Sequence, residues 1–218
     1  MYNIVERINY HSEKFKELIE AQAEVSELHT DDYGWENYRY ESPIFRLAHV
    51  ERYFVGALAV CHITCFPHKN SKAPVFGFDV VGGIKNGKIS GAFIDCSPII
   101  SDSKWHNTEW NKDRKLPYWA TVFSEQFIAV RPDEDEYEKL FETGWDVFQT
   151  YIDRLNSGVD LTDDPTELDT IIKNQNAYCV HQADNPRTFG ALKTKIGEEK
   201  ARYFMDKVLF PQIKNEEN

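Results

Sequence analysis

Apolar positions along this chain change their period twice. Between Ser12 and Leu28, Phe15, Leu18, Ile19 and Val25 recur at helical spacing, with Gln22 the one polar interruption, and predict an amphipathic helix. The stretch TDDYGWENYRYESP, ending at Pro43, is polar and rich in turn residues and predicts a loop. Beyond it the runs IFRLAHVERYF, ALAVCHITCF, PVFGFDVVGG and KISGAFIDC, separated by Pro, Gly and Asn, predict four strands; connections this short favour antiparallel pairing. From Asp133 the helical period returns, with Tyr137, Leu140, Phe141, Trp145, Phe148, Tyr151, Ile152 and Leu155 forming a wide apolar stripe. Thr166 is placed to cap a further helix with Leu168, Ile171 and Ile172 facing inward, and Thr188 to Leu209 gives a third helical region interrupted near Gly197. Helix, strands, then helices predict an α/β fold: a three-layer α/β/α sandwich with a central antiparallel sheet, built as one domain over residues 1–218.

Composition narrows the class. A 41% hydrophobic content with 14% aromatics fills a substantial core in 218 residues. No apolar run approaches the roughly 20 residues needed to span a bilayer, and MYNIVERINYHSEKF has acidic residues early and no signal core, so a cytoplasmic protein away from membranes is expected. The net charge of −11 argues against nucleic acid as a partner. Cys61, Cys65, Cys96 and Cys179 follow no CxxC spacing; Cys61 and Cys65 share one face of a strand, and all four are expected to be buried thiols rather than a disulfide framework or zinc site.

Alternation in VFGFDVVGG puts Val75, Gly77, Asp79 and Val81 on one face of a strand. Asp is disfavoured inside strands, and Gly permits close approach of a flat ligand, so the pair suggests a planar molecule lying on the sheet; an Asp paired with an Arg at a sheet edge is the alternative. His62 lies in the preceding strand and Glu51 in the one before. Either His62 is a satisfied structural histidine, or the three groups converge as a coupled proton reservoir moved toward neutral pH by burial. There is no GxGxxG, Walker loop, GxSxG or HExxH, and Gly82, Gly83, Asn86 and Gly87 read as turn chemistry.

The blocks FGFDVVGG, ISGAFIDCSP, LPYWATVFSE with VRP, and RYFMDKVLF resemble, in this order and spacing from about Tyr38 to Phe210, the ferredoxin-dependent bilin reductases. SPIFRLAHVE and CHITCFP are most similar to the phycocyanobilin-type lineage of that family, and the short N-terminus resembles its compact phage-encoded branch. The resemblance implies biliverdin IXα held between the sheet and the C-terminal helices, electrons from reduced ferredoxin, no bound metal or flavin cofactor, and a monomer. It implies a catalytic role for Asp79, with His62 as its hydrogen-bonded partner and Glu51 as the glutamate linked to D-ring vinyl reduction. It places Ser90, Arg114 and Arg187 at the propionates, with Arg187 where the family has a lysine. Asn185 is a further substrate-binding position. Many members carry a second catalytic aspartate here, whereas this chain reads Ala183-Asp184-Asn185-Pro186-Arg187.

From the phage-type branch the expected product is phycoerythrobilin, formed through 15,16-dihydrobiliverdin, with phycocyanobilin the alternative. Docking of an acidic ferredoxin needs a basic patch, for which Lys193, Lys195, Lys200 and Arg202, or Lys104, Lys112 and Lys115, are the dense candidates. A non-catalytic tetrapyrrole carrier would need the propionate cations but not three ionisable groups. A cofactorless hydrolase built on Glu51 and Asp79 has no nucleophile motif in its favour.

Overall fold

In the computed structural model, residues 3–24, 33–100, 110, 115 and 120–214 are described. The first helix, α1 (Ile4–Glu20), starts well before Ser12 because Asn3 caps it. The Asn3 side chain accepts from the Glu6 amide at 2.9 Å, and the Glu6 carboxylate accepts from the Asn3 amide at 3.0 Å, which satisfies two donors that a helix start leaves free. Its apolar stripe therefore gains Ile4 and Ile8 beside Phe15 and Ile19, all buried, and the helix ends at Glu20; Val25 to Leu28 lie outside the described residues.

Six strands follow in an antiparallel sheet whose spatial order equals their sequence order: β1 (Glu36–Tyr40), β2 (Phe45–Val55), β3 (Leu58–Pro67), β4 (Val75–Gly83), β5 (Ile89–Ser97) and β6 (Ile128–Val130). The four central strands are those the sequence predicts. β1 corrects the expectation of a loop: Tyr38 and Tyr40 alternate with buried Asn37 and half-buried Arg39, and this polar pair hides a short edge strand among turn residues. The three-residue β6 is too short to leave a period.

The two faces of the sheet differ in chemistry. One is mostly apolar: Tyr40, Val50, Cys61, Ile63, Cys65, Phe76, Phe78 and Ile94 pack under α1 and under α2 (Tyr137–Ser157), with Arg52 at its edge bonded to Glu13 of α1 at 2.9 Å. Phe15 meets Phe78 at 4.9 Å and Phe148 meets Phe76 at 4.6 Å between ring centroids. Each ring so buried contributes about 1.5–3 kcal/mol. Gly144 makes the approach possible, since a Cβ there would collide with the Phe78 ring. All four cysteines are buried and none forms a disulfide; two of them lie on this face of β3.

The other face carries Leu47, Phe66 and Val75 at one end and a row of polar groups across the middle. It is covered by α3 (Pro165–Ala183), α4 (Pro186–Ile196), α5 (Glu198–Tyr203) and a single π-helical turn, Phe204–Leu209. These helices with α1 and α2 complete the α/β/α layering. Asp164, not Thr166, caps α3, accepting from the Thr166 and Glu167 amides at 2.8 and 3.1 Å, with Pro165 in the first turn where its missing N–H is harmless. The C-terminal helical region breaks where expected, at Gly197, whose φ of +82° suits glycine. Among the described residues no helix is long and apolar enough to cross a membrane.

Candidate active site

The polar row is created by register. Antiparallel pairing sets Glu51 opposite His62 and His62 opposite Asp79, so residues from β2, β3 and β4 project side by side from one face. His62 Nδ1 lies 2.5 Å from Asp79 Oδ1, and His62 Nε2 lies 2.8 Å from Thr64 Oγ1. An imidazolium donates to both partners. Burial pulls the His62 pKa down, but the charge and hydrogen bond of Asp79, together with Glu51, outweigh it and raise the pKa above its ordinary value. Glu51 is buried, and desolvation, reinforced by the charge of Asp79 and opposed by His62, lifts its carboxyl to about 7. Both groups therefore bind a proton more tightly than their free counterparts.

Above this row is a cavity of about 620 Å³. Its floor is Glu51, His62, Thr64, Gly77, Asp79 and Phe93; its roof is Tyr178, Gln182 and Leu192 from the helices, with Leu209 and Phe210 from the π turn. Gly77 lies on the floor beside Asp79, and a Cβ there would meet no other atom within 4 Å, so the sheet is bare where a flat ligand would lie. One wall is held by Asp95, whose carboxylate accepts from Ser97 Oγ at 2.6 Å, from the Ser124 amide at 3.1 Å and from Ser124 Oγ at 2.5 Å. This ties the segment after Ala120 to β5 and brings Phe123 and Phe127, stacked at 4.0 Å, against the cavity.

The remaining expected site residues divide. Ser90 lines the cavity, with its hydroxyl donating to the Val81 carbonyl at 3.0 Å and its lone pairs still able to accept. Asn185 also lines it and caps α4 through its Oδ1, which accepts from the Arg187 and Thr188 amides at 3.0 and 3.4 Å. Arg187 stands at the mouth, exposed and with no ion pair among the described residues. Asp184 is outside the cavity lining, 3.7 Å from Arg202, so this turn supplies an amide and a cation to the cavity rather than a second carboxylate. Arg114, Lys104 and Lys112 lie outside the described residues.

Two residues beside the site, His49 and Thr64, carry no role in the sequence analysis, and Lys195 enters it only as part of a docking patch. His49 is fully buried, with neither ring nitrogen hydrogen-bonded and its ring centroid 5.8 Å from that of His62; burial, then His62 and Arg39, hold it neutral. Thr64 orients His62. Both were readable by period two, as the residues two before Glu51 and two after His62. Lys195 lines the mouth with Lys115 and Arg187, which no local pattern announces. Of the other cations named for a docking patch, Lys193 is engaged by Glu198 at 2.6 Å, and Arg202 lies near Asp184 and Asp206.

Fold and site together define a class: an α/β/α sandwich whose cavity has room for a large planar ligand above a sheet-borne Glu, His and Asp, groups chemically able to hold and release protons. Comparison gives the family. Residues 4–211 match the ferredoxin-dependent bilin reductases, and the chain belongs to that family. It is an oxidoreductase of this class. It is 31% identical over 188 residues to phycocyanobilin:ferredoxin oxidoreductase of Synechococcus sp., covering 80% of this chain and 75% of the relative. The enzyme of that name from Trichodesmium erythraeum is 30% identical over 190 residues, with the same coverage. The solved structure of PcyX superimposes with a TM-score of 0.66 at 24% identity, over 94% of this chain and 99% of that one. Tomato phytochromobilin synthase in complex with biliverdin gives 0.71 at 17% identity, over 93% and 82%. These two likenesses are of fold.

Proposed function

We propose that this protein reduces biliverdin IXα by four electrons and four protons, the electrons arriving singly from reduced ferredoxin and the protons from Asp79, His62 and their surroundings. The observation that carries the reading is the hydrogen-bonded His62–Asp79 pair on the floor of a cavity large enough for an open-chain tetrapyrrole. Each electron entering the bilin gives a radical whose added charge a nearby proton neutralises. His62 and Glu51 each hold one in a range where it can be released, while Asp79, about one third exposed, is the group of the pair that faces the ligand. Ferredoxin remains an external donor, and no bound cofactor enters the proposal.

The product we assign is phycoerythrobilin, through 15,16-dihydrobiliverdin, following the resemblance to the compact phage-type members. A second reading, phycocyanobilin, is favoured by the buried acid at Glu51 and by the names of the relatives above. Anaerobic incubation with biliverdin, ferredoxin and an electron source, followed by chromatography against authentic pigments, decides between them. Recovery of unchanged biliverdin would remove the assignment altogether.

Two further outcomes are expected. Arg187→Ala and Lys195→Ala should each weaken biliverdin binding in an absorbance titration, because each removes a charge-assisted contact to a propionate worth roughly 1.5–3 kcal/mol. Turnover at saturating substrate should persist, and unchanged affinity in both variants would place the propionates elsewhere. The ferredoxin-driven rate should fall with rising salt, since a protein of net charge −11 can attract an acidic partner only through a local patch such as the one Lys115, Arg187 and Lys195 make at the mouth. Equal activity with NADPH alone would exclude ferredoxin as the donor.

A further inference from the structure

Buried polar atoms without partners cluster on one side of the site. Trp35 Nε1, Asn37 Oδ1, Arg39 Nε and both nitrogens of His49 all come from β1, the residue just before it, and the segment of β2 facing it. Unmet polar atoms are rare in folded interiors, so a group of them beside a reactive site calls for an explanation. Asn37 is the most constrained. It is fully buried, and it sits directly opposite Glu51 in the ladder, so the two side chains leave the same face as nearest cross-strand neighbours. Its Nδ2 makes a long contact to the Trp35 carbonyl at 3.5 Å, and its Oδ1 meets no donor among the described residues.

An amide oxygen cannot pair with a carboxylate, because both only accept, but it pairs well with a carboxylic acid. We infer that Asn37 is the acceptor for Glu51 in its acid form, a positioning residue that keeps a second proton at the site. The inference rests on the reading of Glu51 as a proton-holding residue of the bilin cavity. The upward displacement of Glu51 by burial agrees with it. His62 and Asp79 are the titratable groups whose charges bear on Glu51, and neither lies on β1. Asn37 therefore acts on it without adding a charge.

The test uses infrared difference spectra of the substrate-free protein at mildly acidic pH, with Glu51→Gln subtracted to assign the carboxylic acid band. In the wild type this band should lie at the position of an acid that donates a hydrogen bond. Asn37→Val should shift it to higher wavenumber, toward a free acid, and Asn37→Thr, of nearly the same shape but with an acceptor oxygen, should bring it back. An identical position in wild type and Asn37→Val, or no assignable Glu51 acid band in the wild type, would overturn the inference. Should neither variant fold, the wild-type band position alone decides, a free-acid position counting against Asn37. Because no bilin is present, failure of the bilin reading leaves this result readable by itself.

Discussion

Asp79→Asn should bind biliverdin with nearly wild-type affinity and reduce it at least about 10²-fold more slowly. The amide keeps the volume of the carboxylate and can accept from His62 Nδ1 through its oxygen, so the 2.5 Å contact is replaced rather than lost. What disappears is a group that can carry a proton on the cavity floor, together with the negative charge that raises the pKa of His62. Electron arrival does not need that proton. A bilin radical should therefore persist under anaerobic reduction by ferredoxin, seen by electron paramagnetic resonance and by its absorbance, where the wild type passes through it. Removal of a group that acts only in the reaction lowers kcat while leaving binding intact, which separates this outcome from a damaged cavity. Wild-type rates of product formation in the variant would end the assignment of Asp79 as proton donor. His62→Gln should give a milder block of the same kind, since Thr64 can still hold the replaced side chain.

The second large effect is on stability. Glu51 moves from an ordinary value of 4.5 in the unfolded chain to about 7 in the fold, and His62 is also raised, so both groups bind protons more tightly when folded. The stabilisation this gives is fully present at pH values below those of the unfolded groups and is lost as pH rises through the folded values. For Glu51 that window runs from 4.5 to about 7, and above it the fold must keep a charged carboxylate buried. Gln is a neutral isostere that does not titrate. Glu51→Gln should therefore gain on the order of 2 kcal/mol over the wild type at about pH 8 and little or nothing at about pH 5. Urea unfolding of both proteins at the two pH values measures this difference directly. An equal difference at both would mean that Glu51 titrates normally. A gain in stability bought by loss of an ionisable group is expected where a residue is kept for chemistry rather than for the fold.

Much of this molecule can be read from local pattern. The four central strands, α2 and the break at Gly197 follow from periodicity and from turn residues, because each element must bury a continuous apolar face. Boundaries were harder. α1 begins at a capping box whose members, Asn3 and Glu6, precede the apolar stripe, and β1 alternates aromatic residues with buried polar ones in a segment otherwise rich in turn formers. Glu51, His62 and Asp79 could each be singled out from the sequence as an ionisable residue in a strand. Whether they meet could not be read there, since a shift of register by one residue would send Glu51 or Asp79 to the α1–α2 face.

The sequence by itself determined the family, the layer order and the chemical identity of the residues on the sheet, because these depend on residue type and near-neighbour spacing. Only the folded chain shows that Glu51, His62 and Asp79 fall in one row across three neighbouring strands and that the turn after α3 turns Asn185 rather than Asp184 toward the cavity. It also decided that Lys195 reaches the mouth and that Asn37 faces Glu51 with its amide oxygen unpaired. The physical reason is distance along the chain. Strand pairing and helix packing join groups that lie tens to more than a hundred residues apart, and the pKa of a buried carboxyl depends on those neighbours and on lost solvent, neither of which leaves a local trace.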